Sequence, residues 1–296
     1  MISASTVKEL RERTGCGMMD CKKALSATDG DMDKAIEFLR EKGLAAAVKK
    51  AGRIASEGLV DILVEGNVGA MVEVNSETDF VAKNAEFQQF VKDVAKQVIK
   101  TNPADVEALL DSKFVDGNNT IREMLTEKIA TIGENMNVRR FERFEGNVIG
   151  YVHGGGRIGV MVACEGDLSA SAAYDAARDA AMQIAAINPL YLDKEVVPAE
   201  DIEKEKNIII AQIKEDPKNA SNPDNIIEKM VEGRLAKELK EICLTEQVYF
   251  KNDELTVGKY LKEVSKQVGF TVDVKSYIRY ETGEGIEKKE EDFAAE

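Results

Sequence analysis

His153 is the single histidine of this 296-residue chain, and it stands before three glycines and an arginine, His153-Gly154-Gly155-Gly156-Arg157. The run offers residue types for two kinds of chemistry. An imidazole serves as a general base near neutral pH. Glycines let backbone amides approach an anion, which Arg157 would grip in a bidentate way. Yet no serine or cysteine nucleophile stands beside His153 in a recognisable pattern, and the chain has no GxxxxGK[ST] loop, GxSxG elbow or HExxH helix. A hairpin turn between two strand-like runs accounts for the same glycines. One histidine cannot build a multi-histidine metal site, and Cys16, Cys21, Cys164 and Cys243 form no CxxC pair. No metal and no cofactor are therefore expected, and the thiols read as buried or incidental ones in a reducing cytoplasm.

A second segment, Ser76-Glu77-Thr78-Asp79-Phe80-Val81-Ala82-Lys83-Asn84, lies where a strand gives way to a helix. Thr78 or Asp79 suits the N-cap, and Asp79 is also favourable against the positive end of the helix dipole. Phe80, Phe87, Val91, Val94 and Val98 follow at spacings of 7, 4, 3 and 4. Phe80 on this spacing starts a core stripe. The functional alternative is an aromatic ring at a helix tip beside an acid, shaped to enter a partner's crevice.

The elements that position these segments are readable from periodicity and turn chemistry. Ser5 or Thr6 can cap a helix through about Arg13 that Gly15 ends. Met18, Cys21, Ala24 and Leu25 mark a second helix ending at Gly30. Asp31 caps a third with Met32, Ala35, Ile36 and Leu39 on one face. This three-helix unit carries 11 basic and 8 acidic residues to Arg53, so it is +3 in a chain of net charge −14, and the rest carries −17. So acidic a chain is not a general nucleic-acid binder. It lacks the apolar run that a membrane span needs and any signal-peptide core, so it is expected in the cytoplasm. After Gly52 come two strand runs around Glu65-Gly66-Asn67, then a helix from about Asp79 to Lys100 and another near 120–134. Strands over 137–166 and an alanine-rich helix over about 169–187 follow. Gly66 to Val72 echoes Gly156 to Val162 at an offset of 90 residues, each copy ending a hairpin and preceding a helix. Two charged helices over about 198–216 and 226–242 read as an inserted antiparallel hairpin. A short helix near 257–267 and a strand-like run come last, and the final sixteen residues, rich in acids, are expected to fray.

Six segments carry a resemblance across Val7 to Lys288: VKELRERTGCGMMDCKKAL, EVNSETDFVAKN, IGENMNVRR, YVHGGGRIGV, EKMVEGR and YIRYETGEGIEK, in that order. The chain resembles bacterial elongation factor Ts, the family of guanine nucleotide exchange factors for elongation factor Tu. The resemblance implies an α+β fold. Residues 1–53 would be a three-helix module like a ubiquitin-associated domain. Residues 54–140, and 141–195 with 244–281, would be two related β-hairpin-plus-helix subdomains. Residues 196–243 would be the inserted helical hairpin, and 282–296 an acidic tail. The insertion serves dimer contacts in some members, which leaves a homodimer or a 2:2 assembly open.

The resemblance also implies a mechanism. The protein would bind elongation factor Tu with GDP, or without nucleotide, and contact neither nucleic acid nor membrane. Thr78, Asp79, Phe80 and Val81 would dislodge Mg2+ from the partner, with Phe80 inserting between its side chains. Lys22, Ile132, Gly133 and His153 would supply further contacts. The function would be exchange by binding, with no catalytic residues and no covalent chemistry. Two other classes compete: an adaptor that uses the three-helix module on some other protein, and an enzyme that uses His153 and Arg157 on a phosphorylated substrate. The family often has a further C-terminal helix, whereas this chain stops at DFAAE.

Overall fold

The periodicities sort into eleven α-helices and eight strands among the described residues, 2–14, 16–219 and 222–287 of a computed structural model. Helices α1 (Ala4–Thr14), α2 (Met18–Ala27) and α3 (Met32–Lys50) bury Val7, Leu10, Cys21, Leu25, Ala35 and Leu39 together. Asp31 caps α3 as expected, accepting from Lys34 N at 3.0 Å. The N-terminal turn of α1 is held instead by Ser3, whose hydroxyl accepts from Thr6 N. The stop expected at Gly15 falls outside the described residues. Helix α3 runs 19 residues. Gly43 does not break it but lets it approach another helix, for a methyl there would lie 3.3 Å from Ala130 Cβ.

Strands β1 (Glu57–Glu65) and β2 (Val68–Ser76) form the expected hairpin around Gly66-Asn67. Helices α4 (Asp79–Ala82), α5 (Ala85–Thr101), α6 (Val106–Asp111) and α7 (Ile121–Ile132) follow, and β3 (Met136–Glu145) adds antiparallel to β2. The order is β1-β2-β3. One face of this sheet meets α5 and α7 through Val72, Val74, Phe87, Val94, Val98 and Ile129. Thr120 and Glu123 cap α7 reciprocally. The second half runs β4 (Asn147–His153), β5 (Ile158–Glu165), α8 (Ser171–Ile187), α9 (Ala199–Glu215), α10 (Asp224–Ile242), β6 (Val248–Tyr249), β7 (Asn252–Thr256), α11 (Val257–Val268) and β8 (Asp273–Glu281). Its main sheet has the order β4-β5-β8 and packs on α8 and α11 through Val160, Val162, Ala177, Ala181, Leu261 and Val274. Helices α9 and α10 pair through Ile209, Ile213, Ile227, Val231 and Leu235. All strand pairs are antiparallel, so the fold is α+β. Among the described residues no helix is long and apolar enough to cross a membrane.

The 90-residue echo has a structural counterpart. Val72 pairs with Phe141, Val162 pairs with Tyr277, and each central strand carries a register shift at the equivalent step, Glu73/Val74 and Ala163/Cys164. The two sheets meet through Val60, Met71, Val148, Met161 and Tyr280. A methyl on Gly69 would lie 2.6 Å from Val148 Cγ1 and 3.0 Å from Met161 Sδ. One on Gly159 would clash with Val60 Cγ1 and lie 3.0 Å from Met71 Sδ. The glycines are reciprocal close-approach points, each letting its sheet seat the other's methionine. Gly69→Ala and Gly159→Ala are each expected to destabilise the protein by about 1–3 kcal/mol through overpacking, measured by urea unfolding. Wild-type midpoints for both would show that the sheets are not tightly apposed there.

The chain does not fray at Glu281, contrary to expectation. Thr282 Oγ1 donates to Gly156 O at 2.8 Å, and Gly283 N donates to the Glu73 carboxylate at 2.8 Å. Glu73 itself is wholly buried on β2. It also accepts from Asn75 Nδ2 at 3.0 Å, Arg139 Nη1 at 3.0 Å and Arg140 Nε at 2.5 Å. Arg140 lies over the Tyr280 ring, 3.9 Å from its centroid. Residues 288–296 of the expected acidic tail lie outside the described residues.

Candidate functional site

The helix expected over 79–100 is two helices. Asn84 takes the N-cap of α5, its side-chain oxygen accepting from Glu86 N at 2.8 Å and Phe87 N at 3.3 Å. That closes α4 after one turn and takes Phe80 out of phase with the stripe it was spaced to join. Phe80 is 78% exposed, whereas Val81 is buried in the cluster of Phe87 and Val91. The core-stripe expectation therefore fails at Phe80 and holds from Phe87 on. Val81 anchors the turn and Phe80 stands out from it.

Neither expected cap behaves as one. Thr78 occupies the N-cap position of α4 in extended conformation, but its side chain makes no cap bond. Its hydroxyl donates to Glu134 Oε1 at 2.7 Å and its amide to Glu134 Oε2 at 3.0 Å. Asp79 instead faces solvent and pairs with Lys83 at 2.6 Å. Such an exposed pair contributes about 0–1 kcal/mol. Lys83 Nζ sits 5.8 Å from the centre of the Phe80 ring.

Ile132 ends α7 and Gly133 follows in left-handed conformation at φ 92°, which turns the next residue, Glu134, onto Thr78. The fold thus brings Ile132 and Gly133 beside the Thr78–Val81 turn. Glu77 answers from the other side, accepting from Asn135 N at 2.6 Å and pairing with Arg53 at 3.4 Å. Asn135 Nδ2 donates to Arg53 O at 2.8 Å. Glu77, Asn84, Glu134 and Asn135 were not singled out from sequence. Only Asn84, two residues before Glu86 in a capping pattern, carried a local signal.

His153 ends β4, exposed, with Nδ1 3.0 Å from Tyr151 Oη. Gly154, Gly155 and Gly156 have φ of 60°, 67° and 101°, and Arg157 N donates to His153 O at 3.1 Å, so the glycines make a turn. Gly156 O accepts from Val60 N at 2.7 Å. Gly156 also packs on Leu59, which shares the buried cluster of Val81. Arg157 is exposed, with Nε 4.0 Å from Glu281 Oε1. Lys22 is exposed on α2, away from these residues in the three-helix unit.

Burial pushes up the thiols of Cys16 and Cys243 and takes that of Cys164 to about 12, which holds them as weakly nucleophilic thiols. Among the described residues no three His, Cys, Asp or Glu side chains gather to hold a metal ion. A cleft of about 300 Å3 between α3 and α7, lined by Cys16, Leu39, Arg40, Leu44 and Arg122, includes none of Lys22, Thr78, Asp79, Phe80, Val81, Ile132, Gly133 and His153. What the Thr78–Val81 turn offers is an apolar ring projected on a braced backbone, suited to entering another surface.

A family model described as elongation factor TS matches residues 77–284. Over its whole length the chain is 54% identical to elongation factor Ts of Clostridium novyi, strain NT, covering 97% of that relative. It is 53% identical to elongation factor Ts of Clostridium perfringens, strain 13, covering 98% of it. With elongation factor Ts of Clostridium acetobutylicum it shares 50% identity and covers 97%.

Proposed function

The chain belongs to the elongation factor Ts family, and from that premise we propose that it binds elongation factor Tu carrying GDP and speeds GDP release, so that GTP can enter. The carrying observation is the exposed Phe80 ring on a turn anchored by Val81. Phe80 enters the partner's nucleotide-binding domain, Asp79 helps hold the docked turn, and the displaced ligands let Mg2+ go. Magnesium demands near-ideal octahedral geometry, so a shift of an ångström or so in its ligands weakens metal and phosphate binding together. No bond is made or broken by this protein. Each tenfold loss of nucleotide affinity is about 1.4 kcal/mol of coupling, and nucleotide weakens the factor's binding by the same amount, which releases it once GTP is bound.

Ile132, Gly133 and His153 supply contacts around this wedge and Lys22 supplies one from the three-helix unit, in the cytoplasm, with no nucleic acid involved. We read residues 1–53 as a ubiquitin-associated-like module, the two three-stranded sheets with their helices as related subdomains, and α9–α10 as an inserted hairpin available for a homodimer or 2:2 assembly. The equivalent register shifts and the reciprocal glycines support the relation between the sheets.

Stopped-flow release of a fluorescent GDP from elongation factor Tu tests the reading. Substoichiometric protein is expected to accelerate release many-fold, and no acceleration would overturn the proposal. His153→Ala is expected to weaken partner binding by less than about fivefold, as for a contact outside the energetic centre of an interface. Complete loss of exchange in that variant would move the centre of the site to the His153 turn.

A further inference from the structure

We infer that Glu134 is a positioning residue for the exchange reaction, holding the Thr78–Val81 turn at the angle from which Phe80 acts; the inference rests on the function proposed above. A helix of four residues has a single turn and cannot sustain itself, because nucleating one turn fixes many dihedrals for little hydrogen bonding. Something outside α4 must set its direction. Val81 fixes one side by burial. Ser76 Oγ donates to Thr78 O at 3.0 Å and Gln88 Nε2 to Ala82 O at 3.1 Å, one bond each, whereas the Glu134 carboxylate takes both the amide and the hydroxyl of Thr78, at 3.0 and 2.7 Å.

The grip is crossed. Glu77, one residue before Thr78, accepts from Asn135, one residue after Glu134. Two junctions far apart in sequence, β2 to α4 and α7 to β3, thereby exchange hydrogen bonds in both directions. Arg53, just beyond the end of α3, joins through Glu77 and Asn135. The same clamp places Ile132 and Gly133 next to the wedge. Glu134 touches neither Phe80 nor the partner's reacting groups in this scheme. It acts through Thr78, by removing freedom from the turn that carries the ring.

The expected behaviour separates positioning from binding and from bulk stability. Hydrogen bonds to a charged group are stronger than those between neutral groups. Glu134→Ala is expected to lower the maximal rate of GDP release at saturating protein by about tenfold or more. The half-saturating concentration should move less than about threefold, since contacts at Lys22 and His153 are untouched. Glu134→Gln keeps an oxygen for the Thr78 amide, and its amide nitrogen can donate to the reoriented hydroxyl, so most of the rate should return. Thr78→Val and Thr78→Ser repeat the contrast from the other partner and serve if Glu134→Ala does not fold.

Stopped-flow GDP release from elongation factor Tu, with thermal unfolding of each variant alongside, reads all of this. Rates that fall in Glu134→Ala and Thr78→Val and recover in Glu134→Gln and Thr78→Ser support the inference. A Glu134→Ala protein as fast as wild type overturns the clamp and leaves the exchange function standing. Wild-type protein that fails to accelerate release overturns both. Equal slowing in Glu134→Ala and Glu134→Gln that follows their unfolding midpoints assigns the residue to stability alone.

Discussion

Phe80→Ala is expected to slow maximal GDP release on the order of thirtyfold while leaving the unfolding midpoint unchanged. The two halves of that expectation come from different observations. The ring is 78% exposed, so its removal takes almost no buried area from the folded protein. Aromatic anchors that dock in a partner's pocket commonly account for 2 kcal/mol or more of an interface, which is a factor of about thirty. Asp79→Ala should be milder, because in the free protein Asp79 only pairs with exposed Lys83. Stopped-flow release and a thermal melt on the same sample decide the matter. A Phe80→Ala protein that melts early would mean the ring packs in the fold after all. One that exchanges normally would remove the wedge from the mechanism.

Glu73→Ala is expected to have the largest effect on stability, about 3 kcal/mol, because it strands the buried Gly283 amide and takes the shared carboxylate from Arg139 and Arg140, which keep Glu284. Burial raises the Glu73 carboxyl, but the amide of Gly283, the side chain of Asn75 and the Arg140 guanidinium outweigh it, so the group sits below the usual glutamate range. A carboxyl depressed in the folded state contributes stability above its unfolded value, near pH 4.3, and loses it as pH falls through the folded value. Wild-type stability should therefore fall away below about pH 4, and Glu73→Gln should lack that part of the acid limb. Urea midpoints from pH 3 to 7 give the comparison. A Glu73→Ala midpoint equal to wild type would show that the cluster contributes specificity and no net stability.

Much of this fold was legible because its elements repeat at 3.6 or 2 residues. The stripe Phe87, Val91, Val94, Val98 and the hairpin around Gly66-Asn67 are local patterns, and both are where periodicity puts them. Phe80 was misplaced by the same rule, since seven residues before Phe87 is in phase only if the helix is continuous. Asn84 breaks it by offering its side chain to two amides. Glu73 was illegible for another reason. β2 is covered on both faces, by helices and by the second sheet, so nearly every residue of it is buried. A glutamate there reads from sequence as a solvent-facing position, and its compensation comes from Arg139, Arg140 and Gly283, which no window around residue 73 contains. Glu134 shares that difficulty, lying 56 residues from the threonine it holds.

The bond from Gly283 to Glu73 spans 210 residues, and that separation bears on how the chain is made. Synthesis proceeds from the N-terminus, and early-made parts fold first. The β1-β2 hairpin and then β3 can pair long before β8 is made, bringing Glu73 against both arginines. The carboxylate at the centre of that sheet nevertheless waits for its amide donor until Gly283 has been joined, 210 residues later. Loop closure over such a distance is slow relative to local pairing. The final fastening of the first sheet therefore comes only after β8 has been made, and a nascent chain cut short before Gly283 leaves that fastening undone.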